Sequence, residues 1–391
     1  MTPAARVQAA IELLDAIIAS MRDGGPAADT LIARYFKERR YAGSRDRRAV
    51  RDHVYDAVRR VAERPASGRA AMVGLARDRA DLAALFDGSV HGPAPISDDE
   101  AGAPAGVVPD WIKPLLAAPV EQEALLGRAP VDLRVNRLKA DPDKVAPLYP
   151  DAIRLSGLPD ALRLPEGAPV EQSDPWKWGQ VEVQDAGSQM ISAACDVQPG
   201  MTVIDLCAGA GGKTLALAAA MAGKGTLIAA DTIRSRLARL DPRAERAGAT
   251  FIETLLLDQG HEAGALESLT GRADVVLVDA PCSGTGTWRR NPEARWRLTP
   301  ARLDRLAAEQ ARILDFAAPL LAPGGALVYA ICALTDREGR DQVRGFLDRH
   351  DGWAVERMEA AMARVHGDGL LLTPGHDGTD GFYFARLRRR T

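Results

Sequence analysis

The sequence predicts an α/β protein built on a doubly wound parallel sheet, and three observations carry that prediction. Short, largely apolar stretches at Thr202–Asp205, Asp274–Val278 and Ala326–Ile331 have the length of buried strands. Helix-patterned segments separate the strands of this region, which implies parallel pairing with crossover helices. Each stretch then runs into chemically distinctive residues: the loop Cys207-Ala-Gly-Ala-Gly-Gly-Lys213, Cys282, and Cys332. In open sheets of this class, ligands bind beyond the carboxyl ends of the strands.

Taken in order, residues 4 to about 88 predict helices. Ile11, Leu14, Ile17, Ile18 and Met21 recur at helical spacing until Gly24-Gly25-Pro26 ends the run. Val50, Val54, Tyr55, Val58 and Val61 make a second apolar stripe after Gly43-Ser44, a capping signal. Gly92 to Pro109 is rich in Gly, Pro, Ala and acid and reads as a linker. Val131–Asn136 alternates like a half-exposed strand, and dense prolines from Pro142 to Pro175 disfavour long helices. Then follow helix 186–196, strand 202–206, helix 212–222, strand 225–230, helix 233–247, and strands near 250, 274 and 326. Gly381–Leu387 predicts the last strand.

The chain has 391 residues, 46% hydrophobic and 26% charged, with a formal net charge of −3. That is the composition of a soluble protein of two or three domains. No apolar run approaches bilayer length, and Met1–Arg6 lacks a signal-peptide core, so no membrane partner and a reducing cytoplasm are expected. Four cysteines, none in a CxxC or Cys/His cluster, argue against a disulfide framework and structural zinc; no metal is expected. A net negative charge counts against a nonspecific nucleic-acid coat, but basic patches exist between Lys37 and Arg51, between Arg289 and Arg297, and from Arg386 to Arg390.

The loop after Asp205 ends Gly212-Lys213-Thr214, yet a phosphate-binding P-loop would need glycine at 207, where Cys stands. A dinucleotide fingerprint fails as well, because Thr214 takes the place of its last glycine. Small residues at 208–212 still let backbone approach a ligand at a helix start. Asp231, ending the next strand, suits a ribose, and Asp258, after the strand beyond, suits an adenine amino group. Together they fit an adenosyl ligand without phosphates, such as S-adenosylmethionine. Cys195 on an apolar helix face and Cys207 in the tight loop read as structural cysteines.

With these residues in view, the chain resembles the RsmB-like (Nop/Sun) family of RNA cytosine-5 methyltransferases. The resemblance rests on Val183-Gln-Asp-Ala186, Asp205–Thr214, Asp279-Ala-Pro-Cys-Ser-Gly-Thr-Gly286 with Arg290-Asn-Pro-Glu293 and Trp296, Leu327–Cys332, and Gly378–Phe384. It implies a class I methyltransferase domain, Rossmann-like with a doubly wound seven-stranded sheet, over 186–391. It implies a small α/β RNA-contact subdomain over 109–185, a linker over 91–108, and a shortened all-α NusB-like domain over 1–90.

The resemblance further implies S-adenosylmethionine as cofactor, held by Cys207, Ala208, Gly209, Ala210, Gly211, Gly212, Lys213, Asp231, Arg236, Asp258 and Asp279. Cys332 would attack carbon-6 of cytosine, Cys282 would assist release, and Asp279 and Lys213 would contact the base. Arg134, Asn136, Arg289 and Arg290 are expected to bind RNA, with Arg295 a further candidate phosphate contact and Trp288 or Trp296 a candidate for packing near the base; core packing is the alternative for either Trp and the expectation for Trp296. Ribosomal RNA is the expected partner of a monomeric enzyme. The alternatives are transfer RNA, or a non-catalytic RNA-binding ribosome-assembly factor. The chain departs from the family where Ala210 replaces a usual Pro, and where Ile331-Cys332-Ala333 replaces Thr-Cys-Ser.

Overall fold

A computed structural model describes residues 1–118, 120–358 and 362–389. Arg390, expected in the basic tail, lies outside the described residues. The chain forms two compact units: residues 1–127 with 287–300, and residues 128–286 with 301–391.

The first unit is helical. Helix α1 (Pro3–Asp23) starts where the Thr2 hydroxyl accepts the Ala5 N–H at 3.1 Å and ends at Gly24, whose φ of +76° is left-handed. Helices α2 (Ala28–Glu38), α3 (Ser44–Arg60) and α4 (Gly68–Asp78) follow. The expected stripes face inward: Ile11, Leu14, Ile17 and Met21 pack with Val50, Val54 and Val58.

The segment expected as a linker is instead docked. Ala103 donates its N–H to Ala70 O at 2.8 Å and accepts from Arg60 at 2.6 Å, while Arg69 pairs with Glu100. Its small residues allow this close approach to α4, so composition that resembled a flexible tether serves packing.

Residues 287–300 fold with these helices. Glu293 accepts the Ala28 N–H that opens α2. The buried Arg295 guanidinium donates to the carbonyls of Val58, Arg59, Val61 and Val107, three of them around the end of α3. Trp296 Nε1 donates to Val61 O at 3.0 Å. Helix ends leave carbonyls unpaired, and a planar cation with five N–H groups satisfies several at once. Arg295 is therefore a structural clasp, which corrects its assignment as a phosphate contact. Trp288 and Trp296 are 0% and 2% exposed, so neither offers a face to a base.

The second unit holds two sheets. Strands β1 (Val131–Val135), β2 (Ile153–Arg154), β3 (Ala161–Leu164) and β4 (Val181–Val183) form an antiparallel sheet of order β2-β3-β1-β4. The large sheet contains β5 (Thr202–Asp205), β6 (Thr226–Asp231), β7 (Ile252–Leu256), β8 (Ala273–Asp279), β9 (Leu321–Ile331), β10 (Trp353–Glu356), β11 (Arg364–His366), β12 (Gly369–Leu372) and β13 (Phe382–Arg389). Its order is β11-β12-β13-β9-β8-β5-β6-β7, with β10 also paired to β13. Strands β5 to β9 are parallel, and β13 is antiparallel to β9.

The count of nine among the described residues reconciles with the expected seven positions. Strands β10 and β12 pair with opposite ends of β13, and β11 is a hairpin partner added at the edge. The helix expected over 233–247 is split into Arg234–Leu237 and Leu240–Ala247. Pro242 has no N–H to give a continuous helix, but it sits comfortably in the first turn of a new one. Because β5, β6, β8 and β9 run the same way, Asp205, Asp231, Asp279 and Cys332 all arrive at one edge of the sheet.

Candidate active site

A cavity of about 500 Å³ opens at that carboxyl edge. The loop between β5 and the helix Gly212–Ala220 forms its floor. Gly209 and Gly211 have φ of +57° and +83°. A Cβ on Gly211 would come within 2.1 Å of Leu240 Cδ1, so the turn requires glycine there.

Asp231 fixes this loop. One of its carboxylate oxygens accepts the Gly209 N–H at 2.8 Å and the other accepts the Ile233 N–H at 2.7 Å. Arg243 holds the far side, donating to Ala210 O at 2.6 Å and to Glu182 at 2.9 Å. These bonds fix the loop at Ala210, where proline would stiffen it.

Asp205 lies beneath the loop. Thr214 donates to its Oδ2 at 2.7 Å, while Oδ1 is buried without a hydrogen-bond partner and the residue lines the cavity. Burial pushes this carboxyl up to about 7. A buried, unpaired carboxylate oxygen is costly unless a donor or cation reaches it. The adenosyl cofactor fits this surround: a bent glycine loop, the Asp231 carboxyl group, apolar Ile233 and Leu257, and the unpaired carboxyl oxygen of Asp205.

The two thiols meet beside this floor. Asp279 and Ala330 are cross-strand partners in β8 and β9, so the residues that follow leave the sheet side by side. Cys282 Sγ lies 3.3 Å from Cys332 Sγ. Lys213 Nζ donates to Asp279 Oδ2 at 2.7 Å, and all four side chains line the cavity. Burial alone would lower the Lys213 pKa, but the Asp279 carboxylate outweighs it and the ammonium is held more firmly charged.

The Cys282 thiol is pushed far above its usual range, first by its hydrogen bond with Cys332, then by burial and by the charge on that sulfur. The Cys282 thiol therefore holds its proton firmly.

A buried network grips both loops. Glu338 is fully buried; its Oε1 accepts the Ser283 N–H at 2.7 Å and its Oε2 accepts the Thr335 hydroxyl at 2.8 Å. Gln310 Nε2 donates to Pro281 O at 2.9 Å and to Glu338 at 3.1 Å. The peptide groups on both sides of Cys282 are thus held. Gly286 N–H donates to Cys332 O at 3.0 Å and Leu334 N–H to the Thr285 hydroxyl at 2.7 Å, tying the second loop to the first. Ile331 and Ala333 are packed in the core, and Thr285 supplies a hydroxyl to the loop that follows Cys332.

Of the expected site residues, Cys332, Cys282, Asp279, Lys213, Cys207, Ala208, Gly209, Ala210, Gly212, Asp231 and Arg236 line this cavity. Gly211 shapes the turn without lining it. Asp258 is exposed and outside the lining; Leu257 is what its strand end contributes. Arg134 and Asn136 are also corrected. Arg134 is buried and donates to Gln184 at 2.8 Å, and Asn136 donates to the carbonyls of Gly179 and Ala247 at 2.8 Å. Both side chains join internal segments and present no surface to RNA. Arg289 is buried and Arg290 partly buried, both with partners inside the protein. Cys195 is buried, donating to Ile191 O, as a structural cysteine does.

One wall was not foreseen. The helix Pro300–Ala317 turns Arg302, Leu306, Glu309, Ile313 and Phe316 toward the cavity, and Arg312 there pairs with Glu309 and the buried Glu262. Their spacing of three to four residues is the available signal. Among the described residues no cluster of three or more His, Cys, Asp or Glu is arranged to hold a metal ion.

A family model described as 16S rRNA methyltransferase RsmB/F matches residues 192–388. The chain belongs to the RsmB/F methyltransferase family. Members include a probable ribosomal RNA small subunit methyltransferase B from Synechocystis sp., 34% identical over 299 residues, covering 72% of this chain and 66% of that protein. The ribosomal RNA small subunit methyltransferase B of Enterobacter sp. is 34% identical over 294 residues, covering 71% of this chain and 66% of that protein. The matched region thus spans just under two thirds of these relatives' length. The crystal structure of PH0851 shares the fold, with a TM-score of 0.78 at 23% identity, covering 100% of this chain and 99% of that one. S-adenosylmethionine is the cofactor of the RsmB/F family. In this RsmB/F chain the family's methyltransferase region contains both sheet-end thiols and the glycine loop.

Proposed function

We propose that the chain methylates carbon-5 of a cytosine in RNA, with ribosomal RNA of the small subunit as substrate. The observation that carries this reading is the pair of sulfurs, Cys282 and Cys332, 3.3 Å apart in the same cavity as the cofactor loop. A methyltransferase acting on a nitrogen or oxygen nucleophile has no use for two apposed thiols. Carbon-5 of cytosine does need one, because it becomes nucleophilic only after a thiolate adds to carbon-6. The names of the relatives favour ribosomal RNA over transfer RNA.

Bound S-adenosylmethionine would supply a methyl group on a positively charged sulfur. The chain's residues do the rest. Asp231 and the loop orient the ribose. Lys213 and Asp279, already paired, face the base; a proton placed at nitrogen-3 makes carbon-6 more electrophilic. Cys332 adds there: its electron pair becomes a carbon–sulfur bond, the displaced carbon-5–carbon-6 π pair makes carbon-5 nucleophilic, and carbon-5 takes the methyl group as the donor's sulfur departs as a neutral thioether.

After addition, Cys332 is a neutral thioether. The hydrogen bond and the charge from Cys332 are then gone, which removes two of the four causes that raise the Cys282 pKa and leaves burial and the Glu338 charge. Cys282 becomes able to ionise as the reaction reaches the stage needing a base. It takes the carbon-5 proton, the carbon-5–carbon-6 double bond re-forms, and Cys332 leaves as thiolate. The target nucleotide must leave its stack to enter this cavity.

The test is transfer of tritiated methyl from S-adenosylmethionine to small-subunit ribosomal RNA or to transfer RNA, followed by nucleoside analysis. Labelled 5-methylcytidine in the ribosomal RNA supports the proposal. Label on another nucleoside, or in transfer RNA alone, contradicts it.

A further inference from the structure

Most residues expected to hold RNA are buried, so an RNA substrate needs a grip elsewhere. The helical unit contains a second, larger cavity of about 950 Å³, lined from α1, α2 and the segment around residues 90–92. Tyr41 stands on its rim, 73% exposed. The Arg39 guanidinium stacks 3.7 Å from the centroid of the Tyr35 ring. Glu12 accepts the Tyr35 hydroxyl at 2.8 Å and pairs with Arg39 at 3.5 Å, which holds the stack in place and neutralises the groove's carboxylate. His91, also exposed, completes the rim.

The segment that contributes Tyr35, Arg39 and Tyr41 is opposite in charge to the chain as a whole. Residues 34–51 contain eight Arg or Lys against two Asp or Glu, in a chain of net charge −3. Arg34, Lys37, Arg40, Arg45 and Arg48 are exposed. Flat rings and a guanidinium plane in a segment rich in exposed cations are what unstacked bases and their phosphates require. A duplex would satisfy the cations but leave the rings unused, and an acidic peptide would do the same.

We propose that this groove binds a single-stranded segment of the RNA substrate, with one base stacked on Tyr41 and another on the Arg39–Tyr35 stack. The inference rests on the RNA reading above.

The test titrates a fluorescein-labelled single-stranded RNA of about 20 nucleotides with the full chain and follows anisotropy. Tyr41→Ala should weaken binding by about tenfold, the scale of one lost base–aromatic stack. Arg39→Ala with Arg40→Ala should weaken it further and reduce the slope of log K against log salt by about one to two. Binding of S-adenosylhomocysteine, measured by calorimetry, should be unchanged in both, and ultraviolet crosslinking should label the peptide containing Tyr41. If wild type binds the RNA and both variants bind it equally well, the groove is overturned and the RNA reading stands. If an RNA duplex of the same sequence competes as well as the single strand, the stacking assignment is overturned. If wild type neither binds RNA nor methylates it, both proposals fall together.

Discussion

Cys282 and Cys332 end up sulfur to sulfur, 3.3 Å apart, although 50 residues separate them in the chain. Parallel pairing of β8 with β9 brings them there, and Glu338 and Gln310 keep them there. Cys282 holds its proton firmly, and the proposed chemistry makes Cys332 the nucleophile and Cys282 the latent base. The predictions below follow from this arrangement and from the loop beside it.

Glu338 and Gln310 position the thiols without touching substrate. Glu338→Gln keeps the shape of the side chain but removes the carboxylate charge and the acceptor oxygen that takes the Thr335 hydroxyl. It should lower kcat by about 10²-fold, the scale of a small misplacement of reacting groups. The KM for S-adenosylmethionine should hold steady. The pH profile of kcat should also shift, because the nearby carboxylate charge is lost. A raised cofactor KM with unchanged kcat would place Glu338 in a merely structural role.

Asp205 should link cofactor binding to pH. Its pKa is raised to about 7, so below that pH the free protein holds a proton there. A cationic cofactor group favours the ionised carboxylate, and binding must expel that proton. Affinity for S-adenosylmethionine should therefore rise with pH up to about 7 and then level, by at most about tenfold per pH unit. In Asp205→Asn the affinity should be lower and this rise absent. Calorimetry between about pH 5.5 and 7, where the ligand's amino group stays charged, checks the slope. An identical slope in the variant would remove Asp205 from the linkage.

Asp231→Ala removes the acceptor for two loop N–H groups as well as the proposed ribose partner. Cofactor affinity should fall by at least about tenfold, the loss expected for a hydrogen-bonded charged group. Thiol reactivity toward a maleimide should be unaffected, since Cys282 and Cys332 are held by other bonds. Unaltered cofactor binding would show that the ribose lies elsewhere.

Arg295→Ala should destabilise the helical unit, because carbonyls around the end of α3 lose a shared donor inside the protein. A cost of about 3 kcal/mol is expected, read as a lowered Tm. A variant of normal Tm with weakened RNA binding would restore Arg295 as a phosphate contact.

Much of the site could be seen in the chain because its residues follow strands directly. Asp205, Asp231, Asp279 and Cys332 each end or follow a strand, and parallel pairing converts that shared position into a shared place. The misjudged residues depend on what covers a surface. Alternation in β1 says that Arg134 and Asn136 occupy particular faces, but not that Gln184 and the Ala247 carbonyl close over them. Trp288, Arg295 and Trp296 combine positive charge with aromatic rings, the same local chemistry as an RNA contact. The role of Arg295 and Trp296 is decided by a carbonyl more than 230 residues away, that of Val61, and Trp288 is buried in the core. The helix Pro300–Ala317 mixes Arg and Glu with apolar side chains on its inner face and so resembles an ordinary surface helix.

The most direct test of the account is a denaturing gel of the protein incubated with substrate RNA and S-adenosylmethionine. Cys282→Ala should run as a slow, RNA-linked band that nuclease collapses, because the bond to Cys332 forms and cannot be released. Cys332→Ala and the double variant should give no such band. An adduct that persists in Cys332→Ala, or a Cys282→Ala enzyme that turns over normally with no adduct, would contradict the division of labour between the two sulfurs.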